Sequence, residues 1–356
     1  MRMDDTVPMV EGARIKVIGV GGAGGNAVNT MIAAGLPGVD FLSANTDAQA
    51  LRTNLAPLKV QLGKELTRGL GAGANPEMGC QAATESRDEI AALLHGADMV
   101  FVTAGMGGGT GTGSAHFAAR LSKEMKALTI GVVTLPFKAE GEVRMENALD
   151  GLEKLRRLCD TTIVIPNDKL LELVPKLPVD AAFKVADEVL MQTIRGLTEI
   201  ITKPGLVNLD YSDIMTVMNE GGVAFVGIGE SEEPDPEDRV SEAIDEALSS
   251  PLLGEIDLKQ AKGALIRVVG GPDMTVSEAQ KAAEVVGDRI NKHARIIWGC
   301  SVDPQSEGQV RILLIVTGAR STLLMGKGNN HSSVAAAGNS APRSYTPDDD
   351  GIDFVR

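Results

Sequence analysis

A chain of 356 residues with 43% hydrophobic side chains can build two ordinary cores, and with aromatics at only 3% those cores must be filled by Val, Ile, Leu, Ala and Met. Its 34 basic and 48 acidic side chains leave a net charge of −14, which repels nucleic-acid phosphates and sets DNA and RNA aside as partners. Three cysteines without metal-type spacing point to a reducing compartment, no apolar run reaches the ~20 residues of a membrane span, and a cytoplasmic protein without direct membrane insertion is expected.

Residues 1–11, with Asp4, Asp5 and Glu11, are expected to be a flexible N-terminus. From 12 to 178, short apolar runs at 14–20, 39–44, 99–104, 128–135 and 161–166 alternate with helical patterns. That alternation predicts an α/β, Rossmann-type domain: a parallel sheet with helices on both faces and ligands at the carboxyl ends of its strands.

Three glycine-rich segments stand at those ends. Gly19, Gly21 and Gly24 follow the first run and satisfy the G-x-G-x-x-G spacing of NAD-dependent oxidoreductases, with Asp40 about twenty residues on as the ribose acid. The turn at 69–75, Gly-Leu-Gly-Ala-Gly-Ala-Asn, could close over a terminal phosphate. Most informative is 105–113, Gly-Met-Gly-Gly-Gly-Thr-Gly-Thr-Gly, which precedes a helix expected from about Ser114 with Ala118, Leu121, Met125 and Leu128 on one face. Glycines let backbone N–H groups approach an anion, and a helix N-terminus adds partial positive charge. A pyrophosphate needs one such cradle and a triphosphate can use two, so three loops in one domain favour a nucleoside triphosphate over NAD. The P-loop pattern G-x-x-x-x-G-K-[ST] is absent. Phosphate charge therefore falls to backbone amides, the hydroxyls of Thr110 and Thr112, Arg144 and Mg²⁺.

A helical pattern over 179–203 repeats Phe183, Ala186, Leu190, Ile194, Leu197 and Ile201 and is stopped by Pro204 and Gly205, which predicts a central helix, 179–205, between two domains. Apolar runs at 223–228, 264–269, 295–300 and 310–317, with helices near 236–248 and 277–292, predict a smaller α+β domain over 206–318 with one sheet. Residues 319–356 are expected to be a disordered linker ending in a peptide with Ile352, Phe354 and Val355 behind three acids. Cys80, Cys159 and Cys300 are expected as small buried hydrophobes and Trp298 as core, and His95, His116, His293 and His331 lack metal-ligand spacing.

The run at 107–114, Gly-Gly-Gly-Thr-Gly-Thr-Gly-Ser, resembles the signature of the tubulin superfamily. More narrowly, the chain resembles the FtsZ family of prokaryotic cell-division GTPases. The further matches are Gly-Gly-Ala-Gly-Gly-Asn at 21–26, Asn-Thr-Asp-Ala-Gln-Ala-Leu at 45–51, the turn at 69–76, Ile-Pro-Asn-Asp-Lys-Leu at 165–170 and Asn-Leu-Asp-Tyr-Ser-Asp at 208–213, collinear over roughly 12 to 318. His116 departs from the pattern, standing where the family usually has Pro.

The resemblance implies a tubulin-like fold, GTP/GDP and Mg²⁺ as ligands, and a head-to-tail homopolymer that forms the division filament at midcell. It places Gly22, Ala23, Gly24, Gly25, Asn26, Gly107, Gly108, Gly109 and Thr110 on the phosphates, and Glu140 and Arg144 near ribose and phosphates. Asn167, Phe183 and Asp187 fall at the guanine, and the nucleotide-binding set extends to Asn45, Asp47, Ala72, Gly73, Ala74, Gly111 and Thr112. Asp187 also has a physical argument, since a carboxylate accepts from both N1–H and the N2 amino group of guanine and adenine offers no such pair. As a bare helical Asp it equally suits a solvated face. Asn208, Asp210 and Asp213 have the composition of turn formers and helix caps. The resemblance gives them a catalytic role in the site of the neighbouring subunit. It further implies that the tail from Gly351 to Arg356 binds a membrane-anchor or regulatory protein. A nucleotide-gated paralogue that regulates without forming filaments is the alternative.

Overall fold

The computed structural model describes residues 13–173, 178–202, 211–219, 221–254 and 256–319. Met1–Leu324 is one compact unit. The strands are β1 (Ile15–Val20), β2 (Val39–Asn45), β3 (Leu58–Gln61), β4 (Met99–Gly105), β5 (Leu128–Leu135), β6 (Thr161–Pro166), β7 (Gly222–Ser231), β8 (Gly263–Gly270), β9 (Arg295–Val302) and β10 (Val310–Thr317). The helices are α1 (Gly21–Ala33), α2 (Ala48–Thr53), α3 (Pro76–Glu85), α4 (Arg87–Leu94), α5 (Thr110–Glu124), α6 (Glu142–Arg156), α7 (Asn167–Leu173), α8 (Val179–Thr202), α9 (Tyr211–Met218), α10 (Pro236–Ser249) and α11 (Val276–Arg289).

The sheet runs β3-β2-β1-β4-β5-β6-β7-β10-β8-β9. Neighbours from β3 to β7 are parallel, as in the expected Rossmann-type half, and β10 is antiparallel to both β7 and β8. Strand order reverses between β1 and β4, which opens a crevice at their carboxyl ends. Side chains alternate across the sheet: Val17, Phe101, Ile130 and Ile163 pack on one face, Ile18, Val102, Val133 and Val164 on the other. The first face is covered by α1 and by Leu190, Ile194 and Leu197 of α8. The second is covered by residues of α3 to α6. In the later half, Phe225, Ile266 and Leu314 pack against Ile244 of α10 and Val286 of α11.

Several expectations are corrected. The later strands do not stand apart as a second sheet, because Thr161–Ile163 of β6 pairs in parallel with Gly222–Ala224 of β7. Helix α8 serves both halves: its apolar stripe packs in one cluster with Ile163 of β6, Val226 of β7 and Ile315 of β10. Strand β3 has no counterpart in the sequence reading, being four residues long with one fully buried side chain, Val60. Helix α5 begins at Thr110, inside the glycine-rich run, and ends before Lys126, whose φ of 64° stops it. Leu128 therefore opens β5 instead of closing the helix face. The later helix starts at Val276 because Thr275 and Glu278 form a capping box. Of the cysteines only Cys300 is buried, Cys80 and Cys159 being half-buried, and Trp298 is partly buried against the α11 cluster. Residues 1–12, 203–210 and the tail from 320, with the expectations placed on them, lie outside the described residues.

Close approach of α3 to α5 depends on absent side chains. A Cβ at Gly113 would sit 1.9 Å from the Pro76 carbonyl oxygen, and one at Gly79 would sit 2.3 Å from that of Gly109. Gly113→Ala is expected to destabilise the fold by about 1–3 kcal/mol, the scale of overpacking, read as a lower thermal midpoint. An unchanged midpoint would mean that the two helices do not meet this closely.

Candidate functional site

A cleft of about 240 Å³ opens at the carboxyl ends of the central strands. Its floor is formed where α1 and α5 begin. Neither helix has an acid in its first turn, and neither starts with a side-chain cap: the preceding residues, Val20 and Gly109, make no capping bond. Two sets of first-turn amides and two positive dipole ends thus converge on one cavity with no protein group to satisfy them. An anion fits that arrangement.

The floor glycines divide into two kinds. Gly22 and Gly108 have open space where a Cβ would be, and they line the cleft with Ala23, Gly109, Thr110 and Gly111. The others make close approaches between segments. A Cβ on Gly24 would meet the Thr103 carbonyl oxygen at 2.4 Å, one on Gly107 the Arg144 carbonyl oxygen at 2.7 Å, and one on Gly111 that of Gly105 at 2.5 Å. Gly25 is buried beside Asn54, whose Nδ2 donates to its carbonyl at 2.8 Å, and Asn26 faces solvent from α1. Thr112 is buried, its hydroxyl accepting from Gly107 N–H at 2.8 Å, so it holds the loop from behind.

Asn45 and Asp47 follow β2 but spend their side chains locally. Asn45 Oδ1 accepts from Asp47 N–H, and the Asp47 carboxylate caps α2 by accepting from the amides of Gln49 and Ala50. Between them Thr46, which the 45–51 motif contains but to which no role was given, places its hydroxyl 2.6 Å from that of Thr110. Ala72 packs beneath Gly109, where an added Cβ would meet Ala72 Cβ at 2.9 Å. Gly73 and Ala74 follow with φ of 58° and 59°; for Ala74 that left-handed backbone is strained by roughly 1–2 kcal/mol. Asn75 then caps α3.

On the wall, Glu140 accepts from Phe137 N–H at 2.8 Å and pairs with Arg144 at 3.1 Å. Arg144 is the one cationic side chain among the described residues lining the cleft. Further along, the exposed Phe183 ring stands edge-on to Phe137 at 5.2 Å. Asn167 is buried with Oδ1 unpartnered, and burial alone pushes the Asp187 carboxyl up to about 6. An aromatic ring beside an unpartnered amide oxygen and a desolvated carboxylate suits a planar base carrying N–H groups.

Other predicted residues lie elsewhere. Asp40, the ribose acid of the dinucleotide alternative, is at the amino end of β2, the wrong end of the strand. His116 sits between α5 and α3 with Nε2 3.7 Å from Cys80 Sγ, and burial lowers its pKa. Asn208 and Asp210 lie outside the described residues. Asp213 is exposed in the first turn of α9, and Tyr211 of that turn donates its hydroxyl to the Asp98 carbonyl at the amino end of β4. The cleft lies at the other end of the same strand. Among the described residues no group of three His, Cys, Asp or Glu could hold a metal ion.

Comparison with known proteins fits this geometry. Residues 14–175 match the GTPase domain of the Tubulin/FtsZ family, and 222–320 match the FtsZ family C-terminal domain. The chain is 50% identical to the cell division protein FtsZ 1 of Archaeoglobus fulgidus over 96% of its own length and 88% of that protein's. It is 54% identical to FtsZ 1 of Thermococcus kodakarensis, covering 87% of this chain and 82% of that one. Among solved structures, an FtsZ dimer of Methanocaldococcus jannaschii superposes with a TM-score of 0.83 at 51% identity, over 86% of this chain and 88% of the other. CetZ2 of Haloferax volcanii, at 24% identity and a TM-score of 0.75 over 86% of this chain and 93% of that one, shares the fold. With both family models matched along its length and about half its residues identical to the FtsZ relatives, the chain belongs to the Tubulin/FtsZ family, as a cell-division GTPase of the FtsZ branch.

Proposed function

We propose that the cleft binds GTP with its phosphates on the amides of α1 and α5 and its guanine against Phe183, Asn167 and Asp187. The observation that carries this reading is the pairing of two uncapped, acid-free helix starts at one end of the cleft with an unpartnered Asn167 oxygen and a desolvated Asp187 carboxylate at the other. Gly22, Gly108 and Thr110 supply the phosphate floor, and Arg144, held by Glu140, supplies the side-chain cation. Mg²⁺ suits a floor of amides and hydroxyls as a hard cation carried by phosphate oxygens and water, and it would offset charge that one arginine cannot.

Hydrolysis needs a group to orient water, and among the described residues lining the cleft the carboxylates are Glu140, paired with Arg144, and Asp187, which this reading gives to the base. Asp213 is on α9 at the opposite edge of the sheet, separated from the cleft by the seven residues of β4, roughly 20 Å of strand. A second molecule stacked head to tail brings its own α9 edge to the cleft of the first. The solved dimer of the M. jannaschii relative supports self-association. Such a contact is heterologous and does not close, so it generates filaments. In this reading Asn208, Asp210 and Asp213 of one subunit complete the site of the next, at a division site on the cytoplasmic side of the membrane. The tail from Gly351 to Arg356 is the proposed docking segment for an anchor or regulatory protein.

GTP turnover per molecule is expected to rise with protein concentration, and Asp213→Ala to keep GTP binding while losing ~10²-fold in turnover, the scale of a positioned acid–base group. Constant specific activity across a dilution series would refute the shared site. Asp187 must be ionised to accept from guanine, so affinity for GTP should fall as pH drops below about 6, towards tenfold per unit well below it. Because its carboxyl is raised from 3.8 on folding, the free protein loses stability as pH rises from about 4 to 6. Asp187→Asn should therefore raise the thermal midpoint of the nucleotide-free chain at neutral pH while weakening GTP binding; a lowered midpoint would contradict this. Gly108→Ala, with open space around its Cβ, should leave the midpoint within about 0.5 kcal/mol and weaken GTP binding by filling the cradle.

A further inference from the structure

Thr46 is fully buried at the end of β2, and Thr110, the first residue of α5, is half-buried on the cleft floor. Their hydroxyl oxygens are 2.6 Å apart, and either could donate to the other. The surroundings decide which. A hydroxyl has one proton to give and can accept two. If Thr110 donated to Thr46, the Thr46 proton would be enclosed with nothing to receive it, since Thr110 is the partner the structure gives this hydroxyl. Leaving a buried donor unpaired costs more than a single hydrogen bond returns. If Thr46 donates to Thr110, nothing is left over: the Thr110 oxygen accepts, and its own proton points to whatever occupies the cleft.

We infer that Thr46 is a positioning residue that fixes the Thr110 hydroxyl as a hydrogen-bond donor toward the phosphates of the bound nucleotide. The inference rests on the GTP reading above. The backbone of the same residue holds the turn at 69–75. Its carbonyl accepts from Gly71 N–H at 3.3 Å and from the Thr67 hydroxyl at 3.4 Å, while Ala48 N–H donates to the Gly69 carbonyl at 3.1 Å. The turn at 69–75 is thereby stitched to the end of β2 on one side of Thr46, and the start of α5 is joined to it on the other. The flanking Asn45 and Asp47 serve the local turn and the α2 cap, so the polar contact from this segment to the phosphate floor is made by the threonine between them.

The test is equilibrium titration of the full chain with GTPγS and, separately, with guanosine, which has no phosphate. Thr46→Val removes the hydroxyl at nearly constant shape and is expected to weaken GTPγS about tenfold, the loss of one hydrogen bond to a charged group. Guanosine affinity should stay unchanged, which also reports an intact fold. Thr46→Ser should restore GTPγS binding. In a Thr110→Val background the further change Thr46→Val should cost nothing more, because the two act as one unit. Wild-type affinity in Thr46→Val, equal losses for both ligands, or full additivity with Thr110→Val would overturn the inference and leave the GTP site standing. A wild-type chain that bound no GTPγS would overturn the site itself and Thr46's role with it.

Discussion

The structure depends on the meeting of two helix starts, α1 and α5, across the reversal in strand order between β1 and β4. Phosphate charge in many nucleotide proteins is met by a lysine from the loop; here the floor offers backbone amides. For amides to do that work they must be unsatisfied within the chain, which forbids a capping side chain at Val20 or Gly109 and an acid in either first turn. They must also be close. Gly21 and Gly111 approach until an added Cβ on the first would lie 2.8 Å from the amide nitrogen of the second. Most of the glycines in these segments therefore serve proximity, and only Gly22 and Gly108 leave space for a ligand.

A second constraint is the parallel direction of β1 to β6. All their carboxyl ends lie on one edge, so the cleft is there, and whatever follows at their amino ends is a strand length away. Helix α9 is fixed at that far edge by the Tyr211 hydroxyl on the Asp98 carbonyl and by the Thr161 hydroxyl on the Met218 carbonyl. Helix α8 runs over one face of the sheet, and its buried Glu199 pairs with Arg195 of its own next-lower turn and with Arg267 of β8. Removing either arginine would leave a buried carboxylate undercompensated, so the position of α8 on the later strands is enforced by charge as well as by its apolar stripe. One molecule has two unlike edges held rigidly apart, which is the geometry of a unit that stacks.

The sequence made the strands of the first half legible because parallel central strands are buried on both sides and read as continuous apolar runs; β5 and β6 match their expected ends to the residue. The glycine segments were equally visible, but not their internal division. Composition marks a residue as glycine and says nothing of whether a neighbouring backbone or an empty cleft lies where its Cβ would be. The start of α5 was expected near Ser114 because Gly is a poor helix former, and tertiary contact overrode that preference at Thr110. Strand β3 was missed because one buried valine in four residues leaves no period to detect. Thr46 was passed over for the reason that makes it interesting: its neighbours Asn45 and Asp47 are the residue types that chemistry usually selects, and only the fold shows them turned to local hydrogen bonds. At the proposed guanine end Phe183 and Asp187 stood out in the sequence at helical spacing, whereas the unpaired Asn167 Oδ1 required the structure.

Several groups around the cleft cost the empty chain stability. Asp187 is desolvated without a compensating charge, Asn167 has an acceptor without a donor, Ala74 is held left-handed, and two helix starts go uncapped. Each is worth on the order of 1–3 kcal/mol, and none can be relieved by a small local shift, because the packing glycines leave no slack. A ligand that supplies N–H donors at one end and negative oxygens at the other answers all of them but the Ala74 backbone. It binds the folded chain and not the unfolded one, so occupancy raises stability by mass action, about 2.7 kcal/mol at a hundredfold excess over Kd. That gain is concentrated on the groups that line the cleft, the starts of α1 and α5 at one end and Asn167 and Asp187 at the other. A molecule that gives up such a ligand takes these costs back, so nucleotide occupancy and the firmness of the cleft are one property of this fold.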